Sequence, residues 1–194
     1  MTEQNRKEIS ESRQTRAYAA NYGRWVGLSW IGSFALFILG LTEPLAGNLG
    51  LLLGLSSLLQ MVYLLRGFRD NVAPLSLGRA FRMAWLAFMA AALLTTAAQY
   101  IYMAYIDDGL MMRSFSEIMQ QPEMAEAMRQ MMPGQDSEKL LNESFKALLT
   151  TTPTQFAFSF LFWNMVLATL FAFPTALFSF SRPKADPTKQ RPQI

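Results

Sequence analysis

The chain contains no cysteine and no histidine in 194 residues. Without cysteine there is no disulfide, no thiolate nucleophile and no attachment point for a palmitoyl or prenyl group, and the redox state of its compartment stays open. Without histidine the serine–histidine and cysteine–histidine nucleophile pairs are absent, as are the imidazole and thiolate sets that commonly hold zinc or copper. Charge is also scarce, at 16% of residues, and is missing altogether from Trp25 to Thr42, Pro44 to Leu65, Met83 to Ile106 and Phe156 to Phe180, runs of 18, 22, 24 and 25 residues. Period-two alternation is missing from these runs too. Their Ala, Leu, Met and Phe blocks outlast any strand, and backbone groups in lipid must pair internally, so a strand reading fails.

What the runs do have is apolar length. A hydrocarbon core about 30 Å thick needs roughly 20 apolar residues of helix. The pattern predicts an all-α membrane protein with four transmembrane helices in an antiparallel bundle, over about 25–42, 46–65, 83–106 and 156–180. A polar arm, 1–24, precedes the first span and merges into it through Tyr18, Tyr22 and Trp25; an extracytoplasmic helical insertion, 107–153, separates spans three and four; a Pro/Lys-rich tail, 181–194, is expected to be disordered. Because a long polar segment precedes the first span and no small-residue cleavage site follows it, that span reads as a retained anchor.

Basic residues set the expected orientation. The arm (Arg6, Lys7, Arg13, Arg16, Arg24), the second loop (Arg66, Arg69, Arg79, Arg82) and the tail (Arg182, Lys184, Lys189, Arg191) hold thirteen of the seventeen Lys and Arg, with only five acids. The opposite side holds four bases and nine acids. Both termini are therefore expected to be cytoplasmic in a bacterial inner membrane, where an anionic leaflet attracts each well-placed base by about 1 kcal/mol. The arm mixes Glu3, Glu8 and Glu11 with its bases and lacks interleaved aromatics, so its partner is the lipid bilayer and not nucleic acid.

The insertion carries helix signals. Ser114 and Glu117 have capping-box spacing, Pro122 suits a first helical turn followed by a Met124, Met128, Met131 and Met132 stripe, and Pro133-Gly134 is a stop. A further helix would align Leu140, Leu141, Phe145, Leu148 and Leu149. Such stripes bury on the membrane surface, on the bundle or on a partner. The seven methionines of the insertion, from Met111 to Met132, match Cu(I) chemistry in principle but serve more readily as adaptable packing.

Candidate sites are few, and no catalytic, metal or cofactor residues are expected. Glu43, Asp107 and Asp108 form an outer acidic rim that could pair or bind a cation, although acids at span ends are usually only solvated. No charge lies near a span midplane, which argues against a proton relay. Gln99 and Asn164 are the main strongly polar intramembrane groups, suited to hydrogen bonds across helices. Gly50 and Gly54 make a G-x-x-x-G pair, and Ala80, Ala84, Ala87 and Ala91 form a second small-residue face; such faces build a monomer or a homo-oligomer equally well. Tyr100, Tyr102 and Tyr105 suit an outer aromatic belt, and Pro174 should kink or end the last span.

Four spans, Arg66-Gly67-Phe68-Arg69-Asp70 after the second, Leu75-Ser76-Leu77-Gly78-Arg79-Ala80-Phe81 leading into the third, Tyr100-Ile101-Tyr102 with Ile106-Asp107 at its exit and a Met/Glu/Gln-rich helical loop before the fourth together resemble the bacterial domain of unknown function numbered forty-one ninety-nine, over roughly Tyr18 to Phe180. Members often have Asp-Pro at the third exit where this chain has Asp107-Asp108, so no turn role of that proline is carried over. The resemblance implies no established activity; it implies gene neighbours that are polyprenyl-phosphate glycosyltransferases, hence a membrane partner of that kind and not a chemistry. The expected function is a non-enzymatic accessory or scaffold subunit in envelope glycan or lipid assembly, with a transporter or lipid-handling oligomer as the alternative.

Overall fold

Each uncharged run lies almost wholly within one helix. The computed structural model describes residues 3–119, 121–131, 143, 146–147 and 150–180. Its helices are α1 (Glu3–Leu39), α2 (Pro44–Asn71), α3 (Leu77–Tyr105), α4 (Leu110–Met119), α5 (Pro122–Met131) and α6 (Pro153–Ser179), with no strand among the described residues. The protein is a multi-pass membrane protein: α1, α2, α3 and α6 are long and apolar enough to cross a bilayer. The 28 residues of α2 extend about 42 Å at 1.5 Å per residue, so its charged last turn reaches past a hydrocarbon core of about 30 Å.

Local chemistry sets the helix ends. Pro44 opens α2, its missing N–H being one that would have no helical partner anyway. The Ser76 hydroxyl caps α3 by accepting from the Arg79 N–H. At α6 the Thr152 hydroxyl accepts from the Gln155 N–H while the Gln155 side chain accepts from the Thr152 N–H, with Pro153 next in line. In the insertion, Ser114 and Glu117 lie inside α4 and do not start it. The helix begins earlier because Gly109, at φ 80°, turns the chain sharply after α3 and the Asp107 carboxylate accepts from the Met111 N–H at 3.2 Å. Pro122 is the first residue of α5. The stop at 133–134, the helix sought over 140–149 and the tail 181–194 lie outside the described residues, apart from positions 143 and 146–147, which are helical. The last span continues through Pro174 to Ser179.

Successive spans alternate in direction, but the packing is not that of a simple meander. α1 lies against α2 and α3, α3 against α1 and α6, and α2 meets α6 more loosely, whereas α2 and α3 scarcely touch. Side by side, therefore, α1 and α3 run parallel, as do α2 and α6. The short 72–76 link crosses the end of the bundle, and Leu75 within it is fully buried. This end carries the arginines, and the stretch 14–22 of α1 packs into it. Thr15, Ala19 and Tyr22 are buried, Tyr18 sits edge-on to Phe68 at 4.9 Å, and the Arg79 guanidinium donates to Thr15 and Gln14 while lying 5.3 Å from the Phe68 ring centre. Arg66 and Arg69 donate to the Phe178 and Ser179 carbonyls, which binds α2 to the last turn of α6 and offsets the negative end of its helix dipole.

Candidate functional site

Small side chains decide how closely the helices approach. Gly50 faces the Ser33 carbonyl and Phe37 N–H of α1, where a Cβ would come within 2.9 and 3.0 Å, and Gly54 faces the Ser33 hydroxyl at 3.0 Å. Ala84, Ala87 and Ala91 are fully buried, and Ala87 and Ala91 meet Gly23 and Gly27 of α1. Gly23-x-x-x-Gly27 is itself a close-approach pair, hidden in the sequence because it straddles the boundary of the first uncharged run. Ala168, Ala172 and Ala176 of α6 are likewise buried, at a four-residue repeat that a composition scan passes over. The glycine and alanine faces are thus occupied within one chain.

This close packing joins α1 to α2 and to α3, but it lapses between α2 and α6. Toward the acidic end α6 presents Phe160, Asn164, Leu167 and Phe171, which keep α2 at a distance, and a cleft of about 540 Å³ opens between the two helices. Its α2 wall is Gly47, Asn48, Gly50, Leu51, Gly54 and Leu55; its back wall is Trp30, Ser33, Phe34 and Phe37 of α1 with Thr95 and Gln99 of α3. Leu51, Leu55 and Leu167 stand exposed at the rim, on the surface that faces lipid. A second hollow of about 380 Å³ shares Phe37 and Gly47 with the cleft and lies between the α1–α2 turn and Ser114, Glu117, Ile118 and Gln121.

Gln99 and Asn164 meet in this cleft. The Asn164 amide donates to the Gln99 side-chain carbonyl at 3.0 Å and to the Thr96 hydroxyl at 3.1 Å, both across the α3–α6 interface. Beside them the Thr95 hydroxyl is buried without a hydrogen-bond partner. On the α1 side the Trp30 indole N–H donates to Ser57 at 2.9 Å, and Ser57 donates to the Gly54 carbonyl. Trp30 also stacks on Phe88 and meets Phe171 edge-on, so one side chain joins all four spans. Sequence reading singled out Gln99 and Asn164 but neither Thr95 nor Trp30, since a threonine or tryptophan in a span carries no signal of its own.

The rim acids behave differently. Asp107 accepts from the Tyr102 hydroxyl and the Met111 N–H, so it joins the end of α3 to the start of α4. Glu43 precedes α2 without capping it through its side chain. The Asp108 and Gly109 carbonyls accept from Arg113. Among the described residues no three acids gather as a metal site would require. Met111 is buried, in keeping with methionine as a packing residue.

A family model described as "Protein of unknown function (DUF4199)" matches residues 21–179, which takes in all four spans and the insertion. No curated protein and no solved structure matches.

Proposed function

Because the chain belongs to the DUF4199 family, whose description carries no activity, its role has to be argued from its own cleft, and we propose that it is a non-enzymatic accessory subunit of the bacterial inner membrane that handles lipid. The observation that carries this reading is the apolar cleft between α2 and α6, open sideways where Leu51, Leu55 and Leu167 face the bilayer. Its volume lies in the range of ligand pockets, and an acyl or prenyl chain can enter it without crossing water. The cleft favours lipid handling over a bare scaffold, and it is complete within one chain, so no oligomer is required. A membrane partner in glycan or lipid assembly, such as a polyprenyl-phosphate glycosyltransferase, would give the bound lipid a destination.

The test is to purify the tagged full chain from its native membrane in mild detergent and analyse extracted lipids and co-purifying chains by mass spectrometry. Wild type should retain a defined lipid in near-stoichiometric amount, and Leu167→Trp, which fills the rim from an exposed position, should lose most of it while remaining monodisperse. Equal lipid in both would refute the cleft as the binding place.

The orientation belongs to the same proposal, with Arg66, Arg69 and Arg79 at the cytoplasmic end and the cleft opening toward the other leaflet. A reporter active only outside the cytoplasm should be silent when fused after Ile194 and active in the 107–153 insertion. The reverse pattern would invert the topology.

A further inference from the structure

The lining of the cleft narrows the kind of lipid. No Asp, Glu, Lys or Arg borders it. A phosphate drawn to its floor would leave water without a cationic partner, which hydrocarbon surroundings penalise heavily. A purely hydrocarbon ligand fits no better, because the floor is not purely apolar. Thr95 is 2% exposed, Gln99 6% and Asn164 9%, and their hydrogen-bonding capacity is not used up.

Both N–H groups of the Asn164 amide are engaged, one with Thr96 and one with Gln99. Among the described residues this leaves both N–H groups of the Gln99 amide as donors and the Asn164 carbonyl as an acceptor. Turning both amides about moves the spare carbonyl to Gln99 and most of the spare N–H groups to Asn164, and spare donors still outnumber the spare carbonyl. The Thr95 hydroxyl adds a further donor, buried with no partner. Buried polar groups are normally paired, and an exception calls for a reason.

We propose that the cleft binds a diacylglycerol, with its ester carbonyls and free hydroxyl held by Thr95, Gln99 and Asn164 and its acyl chains leaving past Leu55 and Leu167 into the bilayer. This rests on the lipid-handling reading above. Two ester carbonyls and a hydroxyl accept, and the hydroxyl also donates, which suits a floor whose spare donors outnumber its one spare carbonyl. A prenylated quinone offers acceptors only and would strand the amide carbonyl; a long-chain isoprenoid alcohol would have to serve the carbonyl and every spare donor through a single oxygen. Depth points the same way. Gln99 and Thr95 precede the end of α3 at Tyr105 by 6 and 10 residues, so they lie about 9–15 Å in from that helix end at 1.5 Å per residue. A lipid with a hydrated head group is anchored at the interface, whereas a diacylglycerol can place its glycerol that deep. Trp30, Phe34 and Phe171 then enclose the glycerol with aromatic walls.

The experiment uses the full chain, delipidated in detergent, with 1,2-dioctanoylglycerol as the probe and dioctanoylphosphatidic acid, geranylgeraniol and decylubiquinone as comparison probes, read by native mass spectrometry and thermal melting. Dioctanoylglycerol should bind most tightly. Thr95→Val keeps the shape but removes the hydroxyl, and should weaken that binding about tenfold, the equivalent of one hydrogen bond, while the ligand-free variant melts no lower than wild type. Thr95→Ser, which restores the hydroxyl, should recover most of the affinity. A role confined to helix packing would move melting and not affinity. Unchanged affinity in Thr95→Val, or tighter binding of geranylgeraniol or decylubiquinone that Leu167→Trp abolishes, would overturn the diacylglycerol assignment and leave the lipid cleft standing. Failure of every probe to bind would overturn both.

Discussion

Gly23→Leu is expected to prevent the bundle from assembling. A Cβ at this position would lie 2.6 Å from the Ala87 carbonyl oxygen and 2.7 Å from the Ala90 Cβ. The first of these is backbone in α3, so no side-chain rotation relieves it and the parallel α1–α3 contact must open. Overpacking usually costs about 1–3 kcal/mol and sometimes more, and an obstacle made of backbone places Gly23→Leu at or above the top of that range. In size-exclusion chromatography after detergent extraction the variant should aggregate or run broad. Gly67→Ala is the control, because nothing lies within 4 Å of its Cβ position; it should gain about 0.5–1 kcal/mol from helix propensity. Equal melting temperatures for Gly23→Leu and wild type would mean that α1 and α3 do not meet in this register.

Trp30→Ala should give the largest loss among single side-chain truncations, about 3–5 kcal/mol by the range for large aromatic residues in cores. Trp30 is 7% exposed and touches a different span on each side: Ser57 of α2 through the indole N–H, Phe88 of α3 by stacking at 5.9 Å and Phe171 of α6 edge-on at 6.3 Å. Removing it empties the middle of the bundle and widens the cleft it borders. Trp30→Phe retains much of the aromatic contact and loses the hydrogen bond, so its cost should be about 1 kcal/mol, with Ser57 still bonded to the Gly54 carbonyl. Thermal melts of the three proteins in one detergent would check the order. A Trp30→Ala protein as stable as Trp30→Phe would show that the interhelical contacts of the indole contribute little.

Charge-free length made the four spans legible, since a helix that must satisfy its own backbone in lipid leaves a composition signal over the whole segment. Gly50, Gly54, Ala84, Ala87 and Ala91 were legible as close-approach faces because only residues without bulk permit it. Their partners were not: Gly23 and Gly27 on α1 and Ala168, Ala172 and Ala176 on α6 are ordinary residues in a membrane helix until a neighbour is placed beside them. The start of α4 was misplaced because Ser114 and Glu117 carry a local capping pattern, while the operative signal, Asp107 bonded to the Met111 N–H beside Gly109 at positive φ, depends on how α3 ends. Nor were the contacts of residues 14–22 with the basic end legible. Polar residues such as Gln14 and Thr15 give no sign that Arg79 will bind them across 64 or 65 residues of chain.

By itself, then, the sequence determined the fold class, the number of spans and the division of charge between the two ends, because each of these follows from transferring segments one at a time between water and hydrocarbon. Tertiary structure alone decided that α1 lies parallel to α3 and α2 parallel to α6, that Gln99 and Asn164 are partners, that Thr95 is left without one, and that a cleft opens where α6 turns from alanine to phenylalanine. These depend on which faces meet. Between helices in lipid that choice is made by steric fit and hydrogen-bond pairing, both properties of pairs of helices, which no single segment carries.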